Sequence, residues 1–255
     1  MTAHVGDHGA KEWLATPLGQ YLIAREQAYF DTVVADVFGY NAFQLGMPGL
    51  DLLRASRIAM RCRVDPADGA DLKADFRDLP IASNSADLVL LPHTLEFNDN
   101  PHQILREVAR ILMPEAQVII ACFNPWSLWG FRRTFSRRRG YPWNGRFINL
   151  PRLKDWLALL GLEIAGGQMA CYVPPCAAQK WRERMAFMEA AGDRWWPIAG
   201  GVYFLQAVKR VQGLRLIMPR WTDRLAPAKA LAPAPKKVRQ PDDAVTARSK
   251  VTSGQ

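Results

Sequence analysis

The chain has 255 residues, 49% of them hydrophobic and 22% charged, with 18 Gly and 18 Pro, which allows one full-sized domain with appendages and excludes wholesale disorder. No run of ~18 apolar residues occurs, so no membrane-spanning helix is expected, and the opening MTAHVGDHGAKEW lacks the basic-then-apolar pattern of a secretory signal. The net charge of +9 is concentrated in residues 129–146, with six Arg and no acid, and residues 220–255, with eight Lys/Arg against three Asp. Basicity therefore argues for an anionic partner only locally. Cys62, Cys122, Cys171 and Cys176 form no CxxC pair, and two of the four histidines lie in the first eight residues. A structural zinc site is not expected, and a reducing, cytoplasmic setting is.

Residues 1–15 read as a flexible N-terminal tail. Thr16 is a plausible N-cap with Pro17 at the first helical position. Leu18, Leu22, Tyr29, Val33 and Val37 recur at helical spacing and Gly39 supplies a stop, which predicts a covering helix over 16–39. Residues 41–46 read as a short strand entering a Gly/Pro turn, 50–58 as a short helix, 59–64 as a second strand and 72–76 as a third. Leu88 to Leu91 is a continuous apolar run ended by Pro92, the pattern of a strand buried on both faces. Asn100, Pro101 and Gln103 suggest a capping box. Ile104, Leu105, Val108, Ile111 and Leu112 form the apolar stripe of the helix that follows, with Pro114 as its stop. Residues 117–123 read as another buried strand. Further on come a helix over 151–160, a strand over 163–173, a helix over 177–191 and a last strand over 200–211. Residues 40–218 then form the domain, with a Trp/Arg-rich insert at 124–147, and the Ala/Pro-rich basic stretch 219–255 reads as a disordered tail. Strand–helix–strand alternation predicts an α/β fold with a mostly parallel sheet and helices on both faces.

The run 72–123 resembles class I S-adenosylmethionine-dependent methyltransferases of the type 11 group. Asp75, Leu79-Pro80-Ile81, Asn84-Ser85-Ala86-Asp87 and Arg110-Ile-Leu-Met-Pro114 carry the resemblance, with Glu115-Ala116 in place of the usual Gly-Gly. The resemblance implies a Rossmann-like seven-stranded sheet whose last strand is antiparallel, and S-adenosylmethionine as cofactor. The family's cofactor loop reads acidic-x-Gly-x-Gly-x-Gly. Here Gln44 stands where the acid is expected, Gly46 at the first glycine and Pro48 at the second, with Gly49 one place out of register. Gln keeps an acceptor oxygen without charge, and Pro48 removes a backbone donor.

The same resemblance implies cofactor contacts from Gln44, Gly46, Asp65, Asp75, Phe76 and Pro92. Asp65 ends the second strand, where it either holds ribose hydroxyls or caps a tight Asp-Pro turn. Only residues 66–71 separate it from the next strand, too few for a helical crossover. Asp75 matches the family residue near the adenine, or else caps a turn. Pro92 and His93 follow the fourth strand, where open α/β sheets bind ligands. His93 is the candidate general base or a histidine hydrogen-bonded in a loop, and Glu96 either orients it or begins the next turn. Trp126 and Trp129 either line a substrate pocket or pack against the sheet. The strip Arg132–Arg139, interleaved with Phe131 and Phe135, either binds an anionic partner or RNA or is a solvated helix face. The resulting expectation is a methyltransferase of small-molecule substrate. The alternatives are an inactive scaffold of the same fold, and an RNA-directed enzyme.

Overall fold

The computed structural model describes residues 7–135, 140–175 and 199–210. Six strands, β1 (Asn41–Leu45), β2 (Met60–Val64), β3 (Ala86–Pro92), β4 (Leu112–Phe123), β5 (Leu162–Ala170) and β6 (Val202–Lys209), form one sheet in the order β2-β1-β3-β4-β6-β5. The first four run parallel, and β6 is antiparallel to both β4 and β5. Successive side chains of a strand face opposite sides of the sheet. In β3, Val89 and Leu91 join one core with Ile104, Leu105 and Val108 of α3 (Pro101–Ile111) and with Leu153 and Leu157 of α5 (Leu150–Leu159). Leu88 and Leu90 face the other core, with Leu18, Leu22 and Phe30 of α2 (Pro17–Val34). Both faces are covered, which is why the run reads as continuously apolar rather than alternating.

Helix α2 starts where Thr16 Oγ1 accepts the Gly19 N–H at 3.2 Å. The Thr16 hydroxyl also donates to the Trp13 carbonyl of α1 (Asp7–Leu14) at 2.6 Å, folding one helix tightly onto the next. A Cβ at Gly19 would lie 2.4 Å from the Trp13 oxygen, so the corner needs glycine. At α3, Asn100 Oδ1 accepts the Gln103 N–H as expected, but the Gln103 side chain donates to the Arg77 carbonyl and does not complete a capping box. A short helix, α4 (Leu128–Phe135), follows β4.

Several expectations are corrected. Residues 7–14 are helical, not tail. The third strand shrinks to one bridge between Val64 and Leu72, leaving six strands where seven were expected. Asp71 Oδ2 accepts the Arg63 N–H there, and Leu72, Ala74 and Phe76 pack on the core without forming further ladder rungs. The helix expected over 50–58 is a series of turns, with Gln44 taking the Leu50 carbonyl that the first helical hydrogen bond would use. The expected helix over 177–191, Arg137 to Arg139 and the 219–255 tail lie outside the described residues.

Candidate functional site

A cavity of about 340 Å³ opens at the carboxyl ends of β1, β2 and β3. Its floor is the Gly46–Leu50 loop after β1, Asp65 and Ala67 after β2, Phe76, and Pro92, His93 and Thr94 after β3. Lys11 and Leu14 of α1 and Gln20 and Ile23 of α2 close over it, with Phe97 and Tyr141 on a further wall. Of the residues expected to bind cofactor, Gly46, Asp65, Phe76 and Pro92 lie on this wall, while Gln44 and Asp75 do not. Sequence reasoning missed α1 and Tyr141 on it. The Trp13 edges packed against Trp129 and Tyr141 are what hold α1 there.

The loop owes its shape to Gln44. Its fully buried side-chain amide donates to the carbonyls of Gly46 (3.0 Å), Met47 (3.1 Å) and Leu50 (2.9 Å), and its oxygen accepts the Leu52 N–H (3.0 Å). A carboxylate here would meet three carbonyl oxygens with no proton to offer. Gln44 thus supports the Gly46–Leu50 loop from beneath. Gly46, at φ +96°, turns the chain while its N–H donates to the Val64 carbonyl, and a Cβ there would lie 2.9 Å from Thr94 Oγ1. Thr94 itself donates to the Leu45 carbonyl, tying the ends of β1 and β3. Arg63 fixes the loop's proline by donating to the Pro48 carbonyl at 3.0 Å.

Asp65 is 8% exposed, and its Oδ1 accepts the Ala67 N–H at 2.8 Å. The turn-capping alternative is therefore realised, and the same carboxylate also lies on the cavity wall. Asp75 pairs with Arg77 on the surface, Oδ2 to Nη2 at 2.5 Å, and leaves the wall to its neighbour Phe76.

His93 sits at φ +52° and is buried, stacked on Phe123 at 4.1 Å between ring centroids. Its Nδ1 lies 2.7 Å from Glu96 and its Nε2 2.5 Å from Glu26 of α2. The second Glu96 oxygen accepts the Phe123 N–H at 2.7 Å. Burial pulls the imidazole down, but the two carboxylates outweigh it and hold His93 at about 10. Burial pushes Glu96 up to about 7 against the pull of His93. An imidazolium with both nitrogens engaged has no lone pair for an acceptor, so the geometry gives His93 no base role and makes it a latch between the covering helix and the end of β3. Of the two alternatives for Glu96, the hydrogen bond to His93 realises the orienting one. The signal for Glu26 was an acid inside the apolar stripe Leu22–Glu26–Phe30. Beside the latch, Glu26 Oε2 and the Tyr141 hydroxyl are buried without hydrogen-bond partners. Burial, then the Glu26 and Glu96 charges, push that phenol well up.

Trp126 is exposed, whereas Trp129 is buried and donates from Nε1 to the Val173 carbonyl at 3.1 Å, so packing accounts for Trp129 alone. Among the described residues no cluster of three His, Cys, Asp or Glu could hold a metal ion, and no helix is long and apolar enough to cross a membrane.

An open α/β sheet of this strand order, with a glycine turn after β1 and an acid at the end of β2, defines a Rossmann-like architecture. Residues 49–120 match the family model described as a methyltransferase domain. A Thermotoga maritima structure, described as a SAM-dependent methyltransferase and possible histamine N-methyltransferase, superposes with a TM-score of 0.55 at 17% identity, over 74% of this chain and 93% of that one. A SAM-dependent methyltransferase from Archaeoglobus fulgidus gives 0.53 at 16%, over 74% and 94%. Residues 49–120 thus carry the methyltransferase-domain match, and the fold is the one seen in solved S-adenosylmethionine-dependent methyltransferases. Among curated proteins, the uncharacterized protein YafS of Escherichia coli (strain K12) is 30% identical over 156 residues, 60% of this chain and 65% of its own length. The match thus spans just under two thirds of that relative.

Proposed function

We propose that the protein is a cytoplasmic methyltransferase that seats S-adenosylmethionine in the carboxyl-edge cavity and methylates a small molecule. The observation that carries this reading is the cavity itself, which brings a positive-φ glycine turn, an acid at the end of β2 and a buried aromatic ring onto one wall. These residues fit the cofactor: Gly46 lets backbone approach the methionine moiety, Asp65 accepts from ribose hydroxyls, and Phe76 packs on the adenine. When bound, S-adenosylmethionine supplies an activated methyl on a sulfonium, so the chain's work is alignment and exclusion of water. Helices α1 and α2 roof the cavity and keep water out. The Glu26–His93–Glu96 cluster pins that roof. Free Cys62, Cys122 and Cys171 support a reducing compartment.

Isothermal titration with S-adenosylmethionine and S-adenosylhomocysteine tests the proposal. Micromolar binding at one site is expected, weakened about tenfold or more by Asp65→Asn, which removes a charged acceptor. No heat at high micromolar ligand would leave a scaffold of the same fold.

A further inference from the structure

Helix α4 turns a row of large apolar side chains away from the protein. Its inner face is fixed: Trp129 is buried, and a Cβ on Gly130 would lie 2.1 Å from the Pro125 carbonyl. Ser127 Oγ accepts the Gly130 N–H at 3.1 Å and so caps the first turn. On the outer face Leu128, Phe131 and Phe135 follow at i, i+3 and i+7 and are 47%, 64% and 70% exposed, with Trp126 just upstream at 75%. The Phe131 and Phe135 rings touch, their centroids 4.4 Å apart, which makes a continuous ridge. Single exposed apolar residues need no explanation, but a rigid ridge of this size does.

Charge indicates what covers it. From residue 116 to residue 154 the sequence contains no Asp or Glu and eight Lys/Arg. Arg132 and Arg133 lie on the same helix with their guanidiniums 5.2 Å from the Trp143 and Phe147 ring centroids, and among the described residues no carboxylate pairs with either. Cations held on rings without a counter-ion keep their charge for an anionic surface. RNA stacking would call for separate rings with open faces; here the two phenylalanines pack on each other and leucine extends the row.

We propose that α4 is an interfacial helix that docks the protein on an anionic lipid bilayer, with Leu128, Phe131 and Phe135 among the acyl chains and Arg132 and Arg133 on the headgroups. The dock attracts the protein to phosphatidylglycerol-like surfaces and releases it as salt screens them.

Cosedimentation of the full chain with vesicles tests this. Binding is expected to phosphatidylcholine vesicles containing phosphatidylglycerol, and far less to phosphatidylcholine alone. The double variant Phe131→Ser/Phe135→Ser should lose partitioning about tenfold or more, since each ring removes a large buried apolar area. Leu128→Ser, which leaves both rings in place, should lose it several-fold, and all variants should keep the wild-type circular dichroism spectrum. Wild-type partitioning by the variants would overturn the proposal by assigning binding to charge elsewhere in the chain. Retention of transfer RNA without vesicle binding, or binding to neither, would overturn it as well.

Discussion

Glutamine and glutamate differ in one terminal group, and at position 44 that group decides whether the Gly46–Leu50 loop can exist. The buried amide of Gln44 gives its protons to three loop carbonyls, so Gln44→Glu should set an anion against three acceptors and cost about 3 kcal/mol or more in a urea titration. Gln44→Ala, which leaves those carbonyls unpaired without adding charge, should cost less. His93 makes a pH-dependent prediction. Its folded pKa of about 10 lies above the ordinary 6.5, so the folded state binds more protons between these values. The stability His93 contributes is complete below pH 6.5 and is lost as pH rises through 10. Glu96, raised to about 7, adds a loss of the same sign between about pH 4.5 and 7. Melting temperature should therefore fall steadily from pH 5 to pH 10, and His93→Gln should flatten the upper part of that fall. At this scale the sequence located strand ends well and side-chain directions poorly. The strand reading and the family resemblance put Gly46, Asp65, Phe76, Pro92 and His93 at the carboxyl edge, where the cavity is. It could not show that Gln44 turns beneath its loop, or that Asp75 is taken by Arg77 two residues away.

Among the elements, those that carry their own signals were the legible ones. Strand β3 and helix α3 announce themselves through a doubly buried apolar run and a single apolar stripe, while the marginal elements depend on neighbours. Leu72 begins a charged segment with one ladder rung to Val64, and the expected helix after β1 loses its first carbonyl to Gln44. α1 is held by Trp13, whose indole packs on Trp129 and Tyr141 from elsewhere in the chain, so nothing local marks residues 7–14 as helical. Two predictions follow from the caps and ties. Asn100→Ala removes the side chain that accepts the Gln103 N–H and should cost about 1 kcal/mol by chemical denaturation. Arg110 donates to the Leu79 and Ile81 carbonyls and to Glu107, holding the loop before β3. Arg110→Ala should free that loop, read as faster amide hydrogen exchange over residues 79–83 with β4 unchanged.

For the whole molecule, the strand order and the roof together define the account. Parallel β2, β1 and β3 end on one edge, and the two N-terminal helices, tied down through Glu26 and His93, convert that edge from an open crevice into a cavity. This closure is also what the linear sequence concealed, because it joins Glu26 to His93 across 67 positions and Trp13 to Tyr141 across a longer span. Cutting the latch with Glu26→Gln should leave the sheet intact and loosen the roof, measured as faster exchange in α1 and α2 and a faster off-rate for S-adenosylhomocysteine. The most direct measurement of the central claim is a crystal structure with S-adenosylhomocysteine. The account predicts the nucleoside beneath α1 and α2, its ribose hydroxyls on Asp65, its adenine against Phe76 and its amino-acid end along Gly46. A cavity filled by the side chains of the roofing helices, with no nucleoside density at the ends of β1 and β2, would contradict it.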